Sequence, residues 1–72
     1  MGAQIADGPA LHAVLNADLN IKRAIAGGAS RDLTTALRAL LLVARGLPDA
    51  ACIEAAQHIE TLARALPTVV RR

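Results

Sequence analysis

Three stretches of the chain carry apolar residues at helical spacing, and each is bracketed by residues that start or stop helices. Asp7, Gly8 and Pro9 open the first. Proline suits the first position of a helix, where its missing N–H has no carbonyl to meet, so a helix is predicted over 9–26. Gly27 and Gly28 stop it, one of them free to take the positive φ of a C-terminal cap. Ser30 is a good N-cap and Asp32 complements the helix dipole, which starts a second helix over 31–45, closed by Gly46. Pro48 and Asp49 open a third over 48–66, with either Pro48 at its first position or Asp49 as its cap, and Pro67 ends it. Linkers of about three to five residues are the length of αα-hairpin turns, so consecutive helices are expected to lie antiparallel as neighbours. The expected fold is all-α: three short antiparallel helices, or two αα-hairpins, forming one domain over 9–67 with flexible ends at 1–8 and 68–72.

At about 100° per residue, Leu11, Val14, Leu15, Leu19, Ile21 and Ile25 of the first helix share one broad arc. Asp18 and Lys22 sit in the middle of that arc at i, i+4, the order in which an acid and a base pair well. Two readings follow: the pair edges a packed seam with the lysine stem covering apolar surface, or it fixes the register of a subunit contact. The second helix is apolar over more than half its girth. Leu33, Leu37, Leu40, Leu41 and Ala44 form its main stripe, Ala36, Ala39 and Val43 widen it, and Leu42 points nearly opposite. Such a helix is expected at the centre of its assembly, and exposing Leu42 and Val43 on so small a monomer would leave an apolar patch that calls for a companion chain. The third helix aligns Cys52, Ala55, Ala56, Ile59, Leu62, Ala63 and Leu66, with Ile53 off the stripe as a second contact point and Glu60 and Arg64 as a solvated pair on its flank.

Composition sharpens this picture. Of 72 residues, 17 are Ala and 11 are Leu, and none is Phe, Tyr or Trp, which favours helices and removes the aromatic content of a sheet. A core built from small side chains in a chain this short supplies only about 3–5 kcal/mol. One cysteine and two histidines provide neither a disulfide nor a closed zinc cage, which leaves association as the route to further stability. The helices are therefore expected to complete a larger bundle by oligomerisation. The formal charge of +2 implies no strongly basic domain, and the longest apolar run, 39–44, is far short of a bilayer span, so a cytoplasmic location is expected.

Enzymatic chemistry finds no foothold. His12 and His58 stand apart from any ligand or catalytic partner, Cys52 lies on the small-residue side of the third helix, and no phosphate loop, HExxH pattern or Ser-His-Asp order occurs. The chain is expected to be non-enzymatic, without cofactor or metal. Arg31, Arg38 and Arg45 recur every seven residues and fall within about 40° of each other on the second helix, a basic line able to meet phosphates or an acidic partner surface. Leu42 beside that line, Asp32 near its start and the lack of aromatic residues count against nucleic acid.

The hairpin over 33–66, with its Gly46-Leu47-Pro48-Asp49 turn, resembles in layout the Rop-type plasmid regulators, helical hairpins that dimerise into four-helix bundles and bind RNA. It is also similar to the small co-chaperones of type III secretion needle subunits, onto whose hairpin 37–66, with Ala44-Arg45-Gly46, can be laid. Either overlap covers about half the chain, carries over no functional residue, and leaves the first helix unmatched. The expected function is a small helical interaction module, a regulator, adaptor or chaperone-like subunit of bacterial type, that buries apolar helix faces in a homodimer or against a larger client. Its expected contacts are Ile21, Ile25, Leu40, Leu42, Val43, Ile59, Leu62 and Leu66. The alternative is a nucleic-acid-binding regulator acting through Arg31, Arg38 and Arg45.

Overall fold

The computed structural model describes residues 8–67. They form three helices, α1 (Pro9–Ala26), α2 (Arg31–Ala44) and α3 (Asp49–Ala65), and no strand among the described residues. The flexible ends expected at 1–8 and 68–72 lie outside the described residues, apart from Gly8, which caps α1 in an extended conformation.

The ends of the helices follow from local chemistry. Pro9 occupies the start of α1, and the Gly8 carbonyl accepts from the His12 amide at 3.2 Å. At the other end Gly28 takes φ 88, the Ala29 amide donates to the Ala24 carbonyl at 2.9 Å, and the Gly28 amide donates to that of Ile25 at 3.0 Å. This pair of bonds is the Schellman arrangement, and the left-handed turn it needs is open to glycine at little cost. Ser30 caps α2 as expected, its hydroxyl accepting from the Leu33 amide at 3.5 Å. The helix stops one residue before the predicted end: Arg45 is its C-cap, and the Gly46 and Leu47 amides tighten the chain onto Val43 and Ala44. Pro48 is neither of the things expected of the third helix's opening. It is the N-cap itself, with its carbonyl accepting from the Cys52 amide at 2.8 Å, while Asp49 is the first helical residue. Leu66 turns extended because the residue before a proline is excluded from the helical region.

The core obeys a stricter rhythm than the broad arcs of the sequence. Ala10, Val14, Ala17, Ile21 and Ala24 of α1, Thr34, Leu37, Leu41 and Ala44 of α2, and Cys52, Ala56, Ile59, Ala63 and Leu66 of α3 face the interior. Steps of three and four residues alternate along these lists, the heptad repeat of helices packed side by side, and Ala13, also buried, lies beside the α1 row. Most members are small, and Ala17 and Ala56 are fully buried, so the helices meet on alanine rather than leucine. The most extensive packing joins α1 to α3, which run parallel, rather than either pair of chain neighbours. Far from being central within the chain, α2 is its least covered helix, and Leu33 and Leu40 of its predicted main stripe are about half exposed.

One polar side chain enters the core. Thr34 is 3% exposed, and its hydroxyl is satisfied within its own helix by the carbonyls of Ser30 at 3.2 Å and Arg31 at 3.1 Å. No buried side-chain nitrogen or oxygen among the described residues lacks a partner.

Candidate interaction surface

The heptad frame fixes what each helix turns towards its neighbours. On the α1–α3 side the seam is polar: the Asn20 amide donates to the Asn16 carbonyl at 2.8 Å and to Glu60 Oε2 at 3.4 Å, and Arg64 lies 3.8 Å from the same carboxylate oxygen. His12, Ala13 and Asn16 of α1 line a shallow groove there with Ile53, Gln57 and Glu60 of α3. Ile53, expected as a separate contact point, is instead partly buried against the core.

The α1–α2 side is mixed. Asp18 shares a groove with Arg38, Leu41, Leu42 and Arg45, and Ile25 shares another with Arg31, Thr34, Thr35 and Arg38. The predicted arginine line therefore exists as a geometric feature, and all three arginines are exposed, but it runs beside an acidic residue and two large apolar side chains. Lys22 reaches Asp18 at 3.0 Å with its own side chain 68% exposed, so within the chain this pair stands at the edge of the packed seam. An exposed pair of this kind contributes about 0.3–0.5 kcal/mol.

The α2–α3 side is apolar and open. Because the arginine flank of α2 faces α1 and the Ile53–Glu60 flank of α3 faces α1, the remaining flanks of both helices border each other. On α2 this flank carries Leu33, Ala36, Leu40 and Val43; on α3 it carries Ala51, Ala55 and Leu62. Exposure reaches 67% for Val43, 51% for Leu40 and 52% for Leu62. Leu42, also 67% exposed, sits on the other side of α2 among the arginines. A third apolar row, Leu11, Leu15 and Leu19, runs along the outer surface of α1.

Of the eight residues expected to contact a partner, five are at the surface: Ile25, Leu40, Leu42, Val43 and Leu62. Ile21 and Ile59 are not available, being 0% and 4% exposed. Each is the large side chain in a row of alanines, and it fills the space that the small residues leave between helices. Leu66 is likewise packed against the core, at the end of the α3 row. Leu33, Leu11, Leu15 and Leu19, which share the apolar arcs of the sequence, lie at the surface of the chain; the signal that separates them from the core is the three-four spacing of the alanines, which selects a narrower arc than apolar residues as a class.

Cys52 is buried and free, and no group of three or more metal-ligating side chains occurs among the described residues. No described helix is long and apolar enough to cross a membrane. No protein family, curated protein sequence or solved structure matches the chain.

Proposed function

We propose that the chain is a non-enzymatic helical interaction module whose work is to cover the apolar surface of α2 with another polypeptide. The observation that carries this reading is the exposure of Leu33, Leu40, Leu42 and Val43 on one fourteen-residue helix, between 46% and 67% each. Leaving that much leucine and valine in water forfeits stability that a small alanine-based core has little of, and association recovers it. The charged residues then act as rims that reject wrong partners and set orientation. A nucleic-acid surface on Arg31, Arg38 and Arg45 has weaker support, because Asp18 lies in the same groove and Leu42 interrupts the line.

Site-specific photo-crosslinking in the native host tests the reading. A crosslinker at Val43 is expected to yield adducts with polypeptide, either this chain or another, whereas one at Glu54 on the exposed polar side of α3 yields none. Absence of polypeptide adducts from Val43, Leu40 and Leu42 alike would refute it.

A further inference from the structure

The outer flank of α2 repeats the rhythm of its buried one. Thr34, Leu37, Leu41 and Ala44 pack inward at steps of three, four and three; Leu33, Ala36, Leu40 and Val43 follow the same steps one residue earlier and face water. A helix with two such seams is built to be packed on both sides, because the same knob-into-hole geometry is offered to a helix outside the chain.

We propose that this seam is filled by the same seam of a second copy, running antiparallel about a two-fold axis level with residue 38. The proposal rests on the reading above that another polypeptide covers α2, and names that polypeptide. In an antiparallel pair the layers alternate between the two seam positions. Leu33 then meets Val43 of the second copy, and Ala36 meets Leu40 of the second copy, each layer occurring twice by symmetry. The fit is large against small in the central layers and large against large at the ends, so the seam is complementary to itself without any rearrangement.

Charge placement agrees. None of the four seam residues is charged, Asp32 borders the seam only at its first turn, and at 100° per residue Arg31, Arg38 and Arg45 stand on the opposite side of α2. The arginines of the two copies therefore point away from each other, where a pairing rotated onto the arginine flank would bring like charges together. Ala39 flanks the axis with a methyl group and permits close approach of the backbones. The area is also adequate. Leu33, Leu40, Val43 and Leu62 expose on the order of 400 Å² per copy, and the neighbouring alanines bring the total for a pair towards the roughly 1,200 Å² at which specific interfaces begin.

Sedimentation equilibrium of the full chain and its variants tests the pairing. The wild type is expected to approach twice the 7.4 kDa monomer mass as concentration rises. Leu40→Glu, at an already exposed position, should keep wild-type helicity by circular dichroism yet weaken pairing by at least roughly a hundredfold, because it buries an unpaired carboxylate. Leu42→Glu, on the far side of α2, should pair like the wild type. Leu33→Glu and Val43→Lys should each weaken pairing alone, and the double variant should recover much of it, since the two positions face each other across the axis. A wild type monomeric at every concentration, a Leu42→Glu effect equal to that of Leu40→Glu, or a double variant no better than its parents would overturn the pairing. If the wild type is monomeric while Val43 crosslinks to a different protein, only this pairing fails; if no polypeptide is caught either, the interaction reading fails with it.

Discussion

Replacing Ile21 with alanine removes the largest side chain that is completely enclosed, and the structure sets the size of the effect. Three buried carbons at about 0.8 kcal/mol each account for about 2.4 kcal/mol of lost transfer free energy. If the surroundings do not collapse, a void of roughly 80 Å³ adds up to about 2 kcal/mol. The neighbours in the same row, Ala17 and Ala24, have no side-chain atoms to swing into the space, which favours the upper part of a range of about 2.5–4.5 kcal/mol. A domain of this size has about 3–5 kcal/mol in total, so Ile21→Ala is expected to sit near its unfolding midpoint without denaturant. Urea titration followed by far-ultraviolet circular dichroism reads this directly, at a protein concentration low enough that association adds nothing to apparent stability. Leu62→Ala is the control: its side chain is half exposed, and the loss should stay below about 1 kcal/mol. Equal losses for the two variants would refute the placement of the core on the alanine rows.

Two further perturbations probe the chain's local devices. Gly28→Ala should cost about 1–2 kcal/mol, because φ 88 forces a β-carbon into the left-handed region, while Gly27→Ala, at φ −81, should be neutral or slightly stabilising; thermal melts of the two variants check the contrast. The Cys52 thiol, 4% exposed, should react with a disulfide reagent only through opening of the bundle, so its labelling rate should rise in parallel with the unfolded fraction across the urea transition, and prompt labelling of the native chain would contradict its burial.

The helices themselves are readable from punctuation. Pro9, the Gly27–Gly28 pair, Ser30 and Pro67 each act through their own backbone or the next turn, so no tertiary information is needed to place them. Pro48 is less legible, since a proline at the first helical position and one at the cap differ by a single residue and make the same linker. The faces are less legible in the sequence. Leucine drew the predicted arc of the first helix towards Leu11, Leu15 and Leu19, whereas the chain buries Ala13, Ala17 and Ala24. The reason is geometric: three short helices approach most closely along their smallest residues, and close approach gains dispersion contacts that bulkier leucines would hold open. Burial of Thr34 leaves no apolar signal in the sequence, because a hydroxyl that bonds back to its own helix carries little penalty in a core. The excess of apolar surface on α2 was visible in the sequence as a sum; which flank of the helix presents a repeating seam required the positions of α1 and α3.

Methyl spectra recorded on dilution provide the most direct test of whether the outer seam of α2 is covered by a second copy. The methyl resonances of Leu33, Leu40, Val43 and Leu62 are expected to shift together with concentration, while those of Ile21, enclosed in the core, and Leu42, among the arginines, hold still. A spectrum unchanged across the dilution series, with those four side chains in water throughout, would contradict the account.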